Sequence, residues 1–295
     1  SEEDYVRSSG LLQLASAAKY LLAPAAAGFL MPLVGVRGLV LLDTSTCLVT
    51  VVCTMTVRRA LAADAPHRAA TQSGDDHGFL AGWRTIAASP GLRTLVTLMT
   101  LATLAVGVIQ VLIKPILLPT VSTSEMGVIE TVAATGMLVG AALVTAWKSA
   151  QPTTLLAAGL AGSGAAMVLV PLGPGAWWMA ACGFLTFASL PLSQAGAEVL
   201  VRTRVDNAQQ ARTWGTISLV TQMGYLVAYL CSGVLVDHVL QPQLEPGQSL
   251  STTLGAVVGT GPGRGAALLV GLMGAGMALV ALAVHLQRRR IASPQ

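Results

Sequence analysis

Arg7-Ser8-Ser9-Gly10-Leu11 opens a stretch that continues through Leu14, Tyr20, Leu21 and Ala23 to Gly28 and Leu30. Adding 205 to each number gives Arg212-Thr213-Trp214-Gly215-Thr216, then Leu219, Tyr225, Leu226, Ala228, Gly233 and Leu235, in one register without a gap. Leucine and alanine matches are cheap in an apolar chain. A shared Arg, a shared Tyr from the four in the chain and two shared Gly are not. A long-period repeat of apolar helices points to a transporter-type fold built from duplicated halves.

Composition fixes the solvent. Of 295 residues, 54% are hydrophobic and only 10% charged, and the mean hydropathy is +0.69. Such a chain has no polar surface to spare for water. Apolar runs of bilayer-crossing length fall at about 11–32, 36–57, 93–113, 127–147, 153–171, 176–198, 215–236 and 266–286. The expected class is an all-α membrane protein with eight transmembrane helices, because only helices and closed barrels satisfy their backbone in lipid.

Basic residues supply an orientation. Arg7, Arg58, Arg59, Arg68, Arg84, Arg93, Lys148, Arg202, Arg204, Arg212, Arg288, Arg289 and Arg290 lie on one side of that alternation, thirteen of the seventeen Lys and Arg. Arg37, Lys114 and Arg264 fall opposite, and Lys19 falls inside a span. The bias places the basic side and both ends of this chain in the cytoplasm of a multi-pass cell-membrane protein. The net charge of +4 then reflects topology, and no nucleic-acid partner is needed. Cys47, Cys53, Cys182 and Cys231 lie within spans and read as small buried apolar residues.

The repeat also numbers the helices. Its second copy is the seventh of eight spans, so spans three to eight make a complete six-helix half at 93–295. Residues 1–58 are then the last two helices of a preceding half, joined by a cytoplasmic linker at 59–92. On this reading four helices are missing, and the acidic Ser1-Glu2-Glu3-Asp4 reads as the inside of a longer frame. Within the linker, Phe79, Leu80, Trp83 and Ile86 recur at helical spacing beside Arg84. They fit a short amphipathic interfacial helix or a loop with a few apolar residues.

These residues resemble a family. Gly10, followed by Ala23-Pro24-Ala25-Ala26-Ala27-Gly28, is similar to the antiporter signature of the major facilitator superfamily, with Lys19 where a glycine is usual. Arg7 to Gln13, Leu42-Asp43-Thr44, Gly78 to Arg84 and Val205-Asp206 through Arg212 resemble its macrolide-efflux-like and siderophore-exporter-like branch. The resemblance implies a secondary active transporter exporting a drug or small metabolite by alternating access. It implies a proton as coupling ion, a small-molecule substrate, the lipid bilayer as environment and a monomer when complete. The alternatives are a lipid or lysolipid flippase of the same fold, or a non-transporting truncated scaffold.

Candidate residues follow from what lipid penalises. Lys19, near the midplane, and Glu130, about one turn into its span, are candidates for substrate or proton coupling. Lys19 also fits a snorkelling side chain, and Glu130 an interfacial carboxylate favoured by the helix dipole. Gln110, Gln194 and Gln222 suit hydrogen bonds to a substrate or to a neighbouring helix. Asp43 is expected to satisfy hydroxyls such as Thr44 and Ser45. Glu198 and Arg202, with Arg212 near, are gating candidates or a plain i,i+4 pair. Gly10, Pro24 and Gly28 form an interhelix motif, with Gly136 and Gly140 offering a small-residue stripe. That stripe fits a seal between the halves or close packing inside one half.

Enzymatic readings find little. His67, His77, His238 and His285 show no metal spacing with carboxylates, and Ser163 has no intramembrane histidine to activate it. No Gly-Lys-Ser/Thr phosphate loop occurs, so no cofactor is expected and energy must come from an ion gradient.

Overall fold

The computed structural model describes residues 33–35, 37–59, 79–147, 150–173, 175–206, 209–245, 248, 252 and 254–286. The chain divides into two compact units, Ser1–His77 and Gly78–Gln295. No strand occurs among the described residues, and seven of their helices are long and apolar enough to cross a bilayer. This is an all-α, multi-pass membrane protein. The expected first span, at 11–32, lies outside the described residues, as do Gly10, Lys19, Pro24 and Gly28.

In the first unit, α1 spans Arg37–Arg59. Its hydroxyls fold back on their own helix: Thr44 donates to the Val40 carbonyl at 2.8 Å, Ser45 to Leu42 at 2.7 Å, and Thr46 to Asp43 at 2.8 Å. The expectation that the Asp43 carboxylate satisfies Thr44 and Ser45 is therefore corrected. A carbonyl three or four residues back is always within reach of a helical hydroxyl, so the backbone wins.

The second unit starts with α2, Phe79–Ala88, and then holds six spans. Local chemistry sets where each begins. For α3, Pro90–Leu117, Pro90 stands in the first turn and the Ser89 hydroxyl accepts from Leu92 N–H. A reciprocal capping box between Ser122 and Glu125 opens α4, Thr123–Ala146. Pro152 starts α5, Pro152–Leu169, which ends in a 3₁₀ turn at Val170–Leu172. There the Trp178 indole donates to the Leu169 carbonyl at 2.9 Å, closing the hairpin into α6, Ala176–Arg202.

The next helix, α7, runs Gln210–Leu235 and continues through a π turn at Val236–Leu240 to Gln243. A loop with positive φ at Gly259, Gly261 and Gly263 leads into α8, Arg264–Leu286. Gly263 is required there twice over: its φ is +78°, and an added Cβ would stand 2.6 Å from the Pro115 carbonyl. Gln241 ties this loop to the end of α7, donating to the Gly261 carbonyl at 2.9 Å and accepting from Gly265 N–H at 3.0 Å.

The packing of the six spans has an internal order. The largest interfaces are α4 on α6, α5 on α6, α5 on α8 and α3 on α7, followed by α3 on α8. Exchanging the triplet α3, α4, α5 for α6, α7, α8 turns α4–α6 into α7–α3 and α5–α6 into α8–α3, and leaves α5–α8 unchanged. The five pairings map onto themselves. Because each triplet crosses an odd number of times, the second starts on the opposite face from the first. The core between the triplets is built from Leu92, Leu95, Leu112, Leu160, Met167, Val201, Ile217 and Val270, all almost fully enclosed.

Close approach of these helices uses small residues, because lipid supplies no hydrophobic drive between them. A Cβ on Gly136 would collide with the Phe184 carbonyl, and one on Gly140 with the Ala188 carbonyl. The stripe therefore packs α4 on α6 inside the second unit, the second of the two roles open to it in the sequence.

Candidate functional site

The seam between α3 and α7 carries the polar groups. Gly224 lets the helices touch, since a Cβ there would lie 2.6 Å from the Thr100 carbonyl; Gly107 does the same against Ala228 and Tyr225. That closeness brings Gln110 opposite Tyr229, whose hydroxyl donates to the Gln110 side-chain carbonyl at 2.9 Å. Tyr225 lies one turn earlier, its ring centroid 6.0 Å from that of Tyr229 at 40°, within the range of favourable aromatic pairs. Gln222 is three residues before Tyr225, exposed and without a hydrogen-bond partner among the described residues. Gln110 and Tyr229 are exposed as well. Polar and aromatic groups displayed along two apolar spans form a surface that lipid tails do not solvate.

Nearer the other end of the same helices is a cleft of about 370 Å³, lined by Met99, Gln194, Glu198, Arg202 and Trp214. Chain direction brings them together, because α3 and α7 begin where α6 ends. Met99 lies about 13 Å along α3 from Pro90, and Glu198 about 6 Å before the end of α6, at 1.5 Å per residue. Arg202 Nη2 donates to Glu198 Oε1 at 2.6 Å, and both side chains are about half exposed.

The remaining candidates are dispersed. Arg212 is not in the cleft: its backbone carbonyl accepts from the Thr216 hydroxyl at 3.2 Å and faces Gly82 of α2. Glu130 is exposed near the start of α4, with no hydrogen bond or ion pair to a described residue. Cys182 is buried between helices as expected, whereas Cys47 and Cys53 on α1 and Cys231 on α7 are exposed. Arg204, in the turn after α6, has its guanidinium against Gly91, and its buried Nη1 has no hydrogen-bond partner among the described residues. Burial lowers its pKa below the ordinary guanidinium value.

Sequence reasoning found Gln110, Gln194, Gln222, Glu198 and Arg202. It took Tyr225 and Trp214 only as parts of the repeat and passed over Tyr229 and Met99. The signal for the tyrosines was present, since Gln222, Tyr225 and Tyr229 recur at three and four residues on one helical face.

No family model matches the chain, and comparison with curated proteins and with solved structures found no match.

Proposed function

We propose that the chain is part of a secondary active transporter of the major facilitator type, exporting a small molecule in exchange for protons. The observation that carries this reading is the self-mapping of the five helix pairings in α3–α8 under exchange of triplets. Inverted three-helix repeats build a unit with two equivalent arrangements, which is what alternating access requires. In this reading 1–58 holds the last two of six helices of a partner half, and the basic face, including Arg93, Arg202 and Arg204, is cytoplasmic. The α3–α7 seam, with Gln110, Tyr225, Tyr229 and Gln222, presents hydrogen-bonding and aromatic groups to the substrate. Glu198 and Arg202 stand where an inner gate would close. Glu130 is the carboxylate on offer for a proton, and Lys19 a second coupling candidate.

Accessibility of the seam tests it. In the complete two-half protein, with its cysteines replaced by serine, Gln222→Cys is reacted with a membrane-impermeant maleimide added to either face of sealed vesicles. Alternating access requires labelling from both faces, with the favoured face reversing when the imposed proton gradient is reversed. Labelling from one face alone under every gradient would rule the transporter reading out.

A further inference from the structure

The cleft at the basic end combines opposed charges with apolar walls. Glu198 and Arg202 face each other at 2.6 Å, Gln194 offers both a donor and an acceptor, and Met99 and Trp214 supply a thioether and an indole. Its volume of about 370 Å³ falls within the usual range of small-ligand sites, roughly 300–1,000 Å³. It equals the liquid volume of about a dozen waters.

The ion pair is cheap to open. Half-exposed i,i+4 pairs on helices contribute little to stability. A ligand of one sign that opens the pair leaves the other charge to water and gains nothing there in return. A ligand with a single charge would strand either Glu198 or Arg202. A ligand with both signs exchanges partners and strands neither.

Spacing narrows the choice. The two charges touch at 2.6 Å in the closed pair. With the side chains swung apart, their attachment points lie about 6 Å apart along the helix axis, close to the roughly 7 Å spanned by two extended residues of peptide.

We propose that this cleft binds a small zwitterion with an apolar flank. Its ammonium meets Glu198, its anionic group meets Arg202, and its apolar part lies between Met99 and Trp214. An apolar dipeptide and a zwitterionic lysolipid headgroup share this chemistry. Binding needs no gradient and no partner half, so its outcome is separate from that of the transport reading.

Titration calorimetry of the whole chain in a non-ionic detergent decides the matter. The probes are L-leucyl-L-alanine, its N-acetyl and C-amide forms, and lysophosphatidylethanolamine. The expected result is binding of the free dipeptide or the lysolipid, weakened at least tenfold by Glu198→Gln and by Arg202→Gln alike. Whichever of the two binds identifies the source. If the dipeptide binds, capping either of its ends weakens it to a similar degree. Equal binding of the C-amide with no effect of Arg202→Gln would mean a cation site and overturn the proposal. Equal binding of the N-acetyl form with no effect of Glu198→Gln would mean an anion site and do the same. Binding of neither free probe overturns it outright. The capped ligands need no protein variant, so the answer survives if a substitution unfolds the chain.

Discussion

Tyr229 and Gln110 are 119 residues apart in sequence and joined by one hydrogen bond of 2.9 Å across the α3–α7 seam. Between membrane helices such bonds contribute about 0.6 kcal/mol on average, because the separated helices find other partners. Tyr229→Phe should therefore lower the free energy of detergent-induced unfolding by about 0.6 kcal/mol. Gln110→Leu should cost a similar amount, and the double variant little more than either. A double-mutant cycle with no coupling would show that the two side chains do not meet.

Gly136 and Gly140 of α4 face carbonyl groups of α6, and a backbone carbonyl cannot rotate aside as a side-chain end can. Alanine at either position should destabilise the unit by about 1–3 kcal/mol, the usual cost of overpacking. A Cβ on Gly233 of α7 would meet no atom of the described residues within 4 Å. There Gly233→Ala should be neutral or stabilising by up to about 1 kcal/mol, since only the flexibility of glycine is lost. The difference in sign is the measurement. Equal effects at Gly136 and Gly233 would mean that α4 and α6 are not in backbone contact.

The spans themselves were legible because crossing a bilayer imposes a length and an apolarity that each segment carries alone. All seven described spans fall where the apolar runs place them, and α2 falls where Phe79, Leu80, Trp83 and Ile86 recur. Pairing was not legible in the same way. Gly136 and Gly140 announce a close approach, but nothing in their neighbours says whether Phe184 and Ala188 or another helix will meet them. The cleft was hidden for the same reason. Met99, Gln194 and Trp214 converge only because three helix ends lie at one face, which is a property of connectivity and packing. Asp43 was misread because its charge drew attention that the plain carbonyls of Val40 and Leu42 had the better claim to.

Arg204 is a charge that the fold holds at a cost. Burial lowers its pKa, and Nη1 is enclosed without a hydrogen-bond partner among the described residues. A base whose pKa falls on folding has its charged form disfavoured in the native state. The penalty is present throughout the pH range below the folded pKa and is relieved only above it, far into the alkaline range. Arg204→Met keeps the stem and removes the charge, so it should hold or raise the unfolding midpoint at neutral pH. A lowered midpoint would show that the guanidinium has a stabilising partner.

The short helix α2 is docked on α7 as well as being amphipathic. Ile86 is buried, Thr85 donates to the Gln209 side chain at 3.0 Å, and Gly82 fits against Thr216 and the Arg212 carbonyl. A side chain at position 82 has nowhere to go, because an added Cβ would stand 2.8 Å from that carbonyl. Overpacking costs of about 1–3 kcal/mol correspond to roughly 5- to 150-fold in an opening equilibrium. Gly82→Val should accelerate amide hydrogen exchange across 79–88 by that factor while exchange in α5 and α8 stays as it was. Trp83 is half exposed, so Trp83→Ala should leave exchange in the helix within about twofold. Should both variants exchange alike, α2 is held by the membrane surface rather than by α7, and the close fit at Gly82 is not what positions it.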